Sequence, residues 1–397
     1  MYLEQIEIDN NINFRNRLII SDEDILKNEE NFNKYFSINY SNKFVESILS
    51  HIRNVWFRAK FIGFDTFPNR SNPEAPLIFA DNHSGMAFPW DAIVFISKMF
   101  ENLKNSNNNI RTLISPLLTK FPYMCPFMID DLWWKAGCIN ANLLNFETGM
   151  KLNQTHLLIF PEGLEGIGKG FDKKYKLQPF KTSFLRMSIR YKTDVIPFYT
   201  INAEYNNPIA YNLKHLTKKC RKFGMPFFPM GPIIFLAIFQ PWIFYVALPS
   251  QINFVIGKPI KVYEMIDKPL EELTQKDLKK VAEKVRSIMQ ENLLELQQQY
   301  SKHPYDIKGL LKAMWKNKRY FFRYFPAFWP LTMTYFDVNF TEKDNNDNNG
   351  LKFSFFKCLK TIYKRPIVLA MYLPVLGWLF IGIRSWRLLK RNKQNNS

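Results

Sequence analysis

The chain has 397 residues, 47% of them hydrophobic and 16% aromatic, yet its mean hydropathy is −0.23 because Lys, Asn and Gln offset the apolar load. That length excludes a mini-protein and allows one large domain with an appendage, or two domains. The formal charge of +19 is uneven, since ten Lys and Arg residues from Lys352 to Lys393 face no acid after Asp347. Beside large apolar runs such a tail favours an anionic membrane surface, and no zinc knuckle, aromatic RNA-binding signature or basic zipper supports nucleic acid.

Residues 1–40 are Asn-rich and polar, with Ser21 to Asp24 opening at most a short helix. Acidic Glu4, Glu7 and Asp9 precede any apolar run, against a cleaved secretory signal, so the expectation is a catalytic part on the cytoplasmic face of a membrane. From Phe44 to Phe61 apolar positions recur at helical spacing, an amphipathic helix lying on a core or on a membrane surface. Short apolar runs then alternate with helix-length segments: Leu77 to Ala80, Ile110 to Ser115, His156 to Phe160, Val195 to Ile201 and Ile252 to Ile256. This alternation predicts an α/β fold. Phe180 to Tyr191 has a helical pattern, and Thr274 with Asp277 resembles a capping box ahead of a long apolar-striped helix ending near Tyr300.

Phe223 to Gly257 is 35 residues without a single charge, and its centre, Met225 to Pro249, is interrupted by Pro226, Pro229, Pro232, Pro241 and Pro249. The prolines argue for a loop or hairpin dipping into one leaflet rather than a spanning helix. The aromatic-basic stretch Trp315 to Phe325, a polar linker at Thr341 to Gly350 and a second apolar run, Pro366 to Ile383, complete a C-terminal membrane-associating region, 301–397. Basic flanks on both sides of that run fit a re-entrant or interfacial anchor better than a crossing.

Two segments carry chemistry. Ala80 to Asp91 follows a strand and holds Asn82, His83 and Asp91. Histidine accepts a proton near neutrality, and a carboxylate on its far nitrogen sets the tautomer and stabilises the imidazolium. In the second, Leu157 to Phe160 runs into Pro161, Glu162, Gly163, Gly166 and Lys169, where glycines let backbone amides approach a ligand and lysine can meet phosphate. The four scattered cysteines read as free thiols, and the remaining histidines, at positions 51, 156, 215 and 303, have no metal-ligand spacing. Ser84 lacks the Gly-x-Ser-x-Gly elbow of a hydrolase nucleophile.

Taken together and in order, these segments resemble the lysophospholipid acyltransferase family, typified by 1-acylglycerol-3-phosphate acyltransferase. Asn82-His83…Asp91 is similar to its Asn-His…Asp motif, Phe160 to Gly163 to its Phe-Pro-Glu-Gly motif, Val195-Ile196-Pro197 to its Val-x-Pro motif, and Gly257 to Ile260 to the segment closing such domains. The resemblance implies a mixed sheet flanked by helices over an acyltransferase domain at 41–300. It implies His83 as general base oriented by Asp91, with Asn82, Pro161, Glu162, Gly163, Gly166 and Lys169 binding substrate. The acyl donor would be acyl-CoA or acyl-carrier protein, with no resident cofactor, and the acceptor a membrane lipid hydroxyl. Two departures stand out: seven residues rather than four separate His83 from Asp91, and the stretch Gly137 to Leu143 lacks the arginine that the family offers to its acceptor's phosphate. A neutral acceptor such as diacylglycerol, a sterol or a long-chain alcohol, and a non-catalytic membrane-binding protein on the same scaffold, are the alternatives.

Overall fold

A computed structural model describes residues 20–85, 88–104, 108–120, 122–152, 155–222, 227–340, 351 and 353–395. Its centre is a seven-stranded mixed sheet, in spatial order β1 (Lys60–Ile62), β9 (Asn253–Ile256), β6 (Val195–Ile201), β2 (Ile78–Asp81), β5 (Thr155–Ile159), β3 (Asn109–Ile114) and β4 (Cys138–Asn140). Neighbours are parallel except β6 and β9, which run antiparallel.

The strands read as continuous apolar runs because both faces of the sheet are covered. Phe79, Leu158, Ile196 and Phe198 point into one core with the Trp90–Leu103 and Trp329–Asn339 helices. Their strand neighbours Ile78, Ala80, Leu157, Ile159 and Val195 point into a second core with the Leu143–Lys151, Ser183–Tyr191 and Gln275–Tyr300 helices. The last of these opens on the expected capping box, with Thr274 and Asp277 each accepting from the other's backbone.

Several expectations are redrawn. The acidic run at Ser21 caps a helix of three turns, Asp22–Asn33. Arg111, fully buried between Phe32 and Phe36, donates to the Phe32 carbonyl at 2.7 Å and holds that helix to the sheet. The amphipathic stripe after Phe44 packs on the core, with Ile48, Ile52 and Val55 buried. Its helical reading to Phe61 runs too far, because Arg58 turns at φ 43° and donates to the carbonyls of Trp56, Pro249 and Tyr305, so that Lys60 begins strand β1. The C-terminal region also enters the first core: Trp329 packs edge-on against Trp56, and Met371 and Ile381 are buried beside it. The polar linker at 341–350 lies outside the described residues.

Of the two long apolar segments, the first supplies β8 (Pro229–Met230), which pairs antiparallel with β7 (Tyr211–Asn212) across the intervening Lys214–Lys222 helix, then an eight-residue helix, Pro232–Phe239, and a turn, Pro241–Tyr245. Prolines sit at the first positions of both helical pieces, where no amide hydrogen is needed. The second splits into a 3-10 stretch, Pro366–Tyr372, and a helix, Leu376–Asn395. Among the described residues no helix is long and apolar enough to cross a membrane.

Candidate active site

Strands β2 and β5 are adjacent and parallel near the middle of the sheet, so their carboxyl ends open at the same place, where ligands gather in α/β folds. Chain leaving β2 supplies Asn82 and His83, and chain leaving β5 supplies Phe160 to Gly163. The seven intervening residues do not keep Asp91 from His83. The turn carries Gly85 at φ 109°, a conformation suited to glycine, and returns Asp91 as the second residue of the Trp90–Leu103 helix.

Asp91 is fully buried. Its Oδ2 lies 2.7 Å from His83 Nδ1 and accepts from the Ser84 amide at 2.9 Å, while Oδ1 accepts from the Ala92 amide at 2.8 Å. An oxygen that already accepts one N–H is an acceptor toward the ring as well. Nδ1 therefore carries the hydrogen, and Nε2 is the nitrogen left for a substrate. The imidazole stacks on Phe160 with centroids 4.0 Å apart, which fixes its plane.

Glu162 ties the two turns together. Its Oε1 accepts from the His83 amide at 3.1 Å and its Oε2 from the Gln178 amide at 2.6 Å. Lys169 Nζ stands 3.8 Å from the same Oε2 with its side chain only 3% exposed, so the lysine expected to meet a substrate's phosphate is instead a buried counter-ion of Glu162. Lys176 and Lys181 are exposed. Gly166 is needed for contact: a Cβ there would lie 2.7 Å from Glu162 Cβ and 3.0 Å from His83 Cβ. Gly163 differs, because at φ 58° a Cβ would meet nothing within 4 Å. Pro161 is buried, and its carbonyl accepts from the Lys181 amide at 2.8 Å. Asn82 faces away from open space; its amide exchanges two hydrogen bonds with the Thr200 backbone, at 2.9 and 3.0 Å, and clamps β2 to β6.

Two carboxyls escaped the sequence reading. Asp81 is fully buried, and burial pushes its pKa well above the carboxylate range; the charges of Asp91 and Glu162 push the same way, against a 2.6 Å hydrogen bond from the Thr200 hydroxyl. Glu204 is also raised by burial, with Lys169 opposing, and accepts from the Tyr175 amide at 3.2 Å. Lys169 thus forms its ion pair with Glu162 and opposes the charge of Glu204 as well. Only the position of Asp81 at a strand end beside Asn82 could have signalled it, and nothing local to Glu204 does.

No family model matches this chain. It is similar to proteins described as uncharacterized from Mycobacterium bovis and Mycobacterium tuberculosis, 28% identical over 226 residues, and to one from Mycobacterium leprae, 26% identical over the same length. The match takes in 57% of this chain and spans 57–58% of the length of those relatives. Superposition on the 1-acyl-sn-glycerophosphate acyltransferase of Thermotoga maritima covers 64% of this chain and 81% of that one at 16% identity and a TM-score of 0.36, too loose to carry the fold.

The stretch from Gly137 to Leu143, where the sequence lacks an arginine, forms β4 and the start of the next helix. Arg111 does reach it, donating to the Gly137 carbonyl at 2.8 Å, but its other nitrogens are committed to Phe32 and Asn33. Its guanidinium is a clasp for the N-terminal helix and not a free anion ligand.

Proposed function

We propose that the chain is an O-acyltransferase that moves a fatty-acyl group from a thioester, acyl-CoA or acyl-carrier protein, to a lipid hydroxyl at the cytoplasmic face of a membrane. The observation that carries the reading is the 2.7 Å contact between His83 Nδ1 and buried Asp91 at the open end of the central strands. Nε2 takes the proton of the acceptor hydroxyl, and the oxygen adds to the thioester carbonyl. The tetrahedral oxyanion then collapses, and the departing thiolate receives the proton back from His83. Asp91 stabilises the imidazolium between these two transfers. Glu162 holds the His83 backbone and is itself balanced by Lys169, so that Lys169 supports the turn while open space above Gly163 receives the acceptor. A (lyso)phospholipid or glycerolipid hydroxyl is the acceptor on this reading. A neutral acceptor is favoured by one observation: Lys169, the buried cation of the turn, faces the Glu162 carboxylate, and Arg111, the arginine that reaches the Gly137 stretch, is committed to protein carbonyls.

The test is release of free thiol by the purified chain from long-chain acyl-CoA, with lysophosphatidate and diacylglycerol offered in turn in mixed micelles. Turnover dependent on an acceptor supports the proposal and ranks the two acceptor classes. Thiol release with neither, or release that His83→Ala leaves unchanged, sinks it.

A further inference from the structure

Three segments far apart in sequence meet on one face of the molecule. On the Pro232–Phe239 helix, Ile233 and Ala237 are buried while Phe235, Leu236, Ile238 and Phe239 are 50–60% exposed. The C-terminal helix docks beside it: the Val375 amide donates to the Phe239 carbonyl and the Trp378 indole to the Ala237 carbonyl, each at 2.8 Å. That juxtaposition adds exposed Leu379, Phe380 and Trp386 to the same apolar surface. On the other flank, Gly231 approaches Ala210 so closely that a Cβ would lie 3.0 Å from its Cα, which brings in exposed Ile209, Tyr211 and Leu216.

This surface reaches the active-site turn. Asn212 donates to the Gly168 carbonyl at 2.7 Å, and Gly168 follows Gly166, which packs on His83. The segments that form it are cationic, although one of the cations, Arg384, is paired to an acid, Asp130. Residues 205–263 and 348–397 contain seven and ten Lys or Arg and no Asp or Glu. Lys218, Lys219, Arg387 and Lys390 are exposed, the last stacked on Trp386. An exposed apolar patch of this extent marks an interaction surface. A second copy would set cations against cations, whereas an anionic leaflet offers hydrocarbon to the aromatic side chains and phosphate to the basic ones.

We propose that residues 209–216, 232–239 and 375–386 form one composite face that docks on an anionic bilayer and sets the rim of the His83 turn at the lipid surface. The placement of the rim rests on the acyl-transfer reading; the docking does not, and its test requires no turnover. The full chain is floated with vesicles of phosphatidylcholine alone and of phosphatidylcholine mixed equally with phosphatidylglycerol. Phe235→Glu/Phe239→Glu and Leu379→Glu/Phe380→Glu should each weaken binding to both vesicles about tenfold or more, since each removes two large apolar side chains from the lipid. Arg387→Gln/Lys390→Gln should weaken binding to the anionic vesicles alone. Leu26→Glu, exposed on the N-terminal helix, should change nothing. Hydrogen exchange of the unaltered chain needs no variant, and amides of 232–239 and 376–386 should slow when anionic vesicles are added. Unchanged flotation of either glutamate pair, absence of that slowing, or a wild-type dimer that the Phe pair splits while flotation persists would overturn the proposal. Wild-type flotation by His83→Ala supports it, and a chain that floats but transfers no acyl group fails the catalytic reading alone.

Discussion

The turns around His83 and the apolar face beside them are built on opposite principles. At the turns every group has one place: Asp91, Glu162 and Asn82 are buried, and each accepts or donates two or more directed hydrogen bonds. On the face, exposed Phe, Leu and Trp side chains contribute area, and exposed Lys218, Lys219, Arg387 and Lys390 contribute positive charge. Directed bonds in a dry environment are strong and intolerant, because a lost partner leaves an unsatisfied group. Area and diffuse charge are additive and forgiving. Single substitutions should therefore abolish what the turns do and only attenuate what the face does.

The largest effect should come from His83→Ala, which is expected to lower acyl transfer by about two to four orders of magnitude, the usual worth of a positioned general base. Melting temperature and vesicle flotation should stay as in the wild type. Asp91→Asn should cost a comparable factor through the wrong tautomer. If that variant keeps its turnover and only melts earlier, Asp91 is a cap for the helix through its bond to Ala92, and the contrast between the two regions loses its catalytic half.

Next in size is the buried pair beneath the turn. Glu162→Ala takes the ion-pair partner from buried Lys169 and leaves only Glu204 to oppose its charge, and breaking such a pair costs about 3–5 kcal/mol. Urea unfolding measures it. Glu162→Gln combined with Lys169→Met should recover part of the loss, because removing both charges also removes the desolvation penalty. No recovery would mean that the turn needs the carboxylate itself.

A third prediction uses His156, a core histidine, as counterpoint to His83. Burial, with the nearby Arg70 cation second, lowers its pKa from 6.5 to about 3. The folded state keeps it neutral while the unfolded chain takes up a proton below pH 6.5, so its stability contribution is present above 6.5 and lost as pH falls toward 3. The loss should be on the order of a few kcal/mol. Unfolding free energy measured against pH should show this acid limb, flattened in His156→Gln; an unchanged limb would place the acid sensitivity elsewhere.

The smallest effect sharpens the comparison from within the site. Gly163→Ala meets no neighbour, so its cost is confined to backbone strain at φ 58°, about 1–3 kcal/mol. Gly166→Ala must displace Glu162 and His83 and should lose transfer as well as stability. Equal melting temperatures and equal turnover in the two variants would show that the Gly166 contact is loose.

Much of this was legible in the sequence for reasons that are local. Val195 to Ile201 reads as a strand and is one, because a β-branched and aromatic run, interrupted only by Pro197, suits a strand covered on both faces. Thr274 and Asp277 announce a helix start through hydrogen bonds that span three residues. His83 and Asp91 were nameable together because both lie in one turn. Lys169 was nameable too, but a charged residue in a glycine-rich loop carries no mark of its burial against Glu162.

What the sequence determined by itself is therefore five of the seven strands of the central sheet, the capped long helix, the two turns that bear polar side chains, and the bias of charge toward the C-terminus, all of which depend on neighbours within a few residues. The tertiary structure alone decided which of those residues face one another. It buried Asp81 and Glu204, turned Arg58 out of a helix by offering it the distant carbonyls of Pro249 and Tyr305, and drew Trp329 and Met371 into the core. It also joined Phe239 to Val375, so that two apolar segments over a hundred residues apart became one exposed surface. Burial and long-range hydrogen bonding are properties of the packed chain, and no window of sequence contains the partner that supplies them.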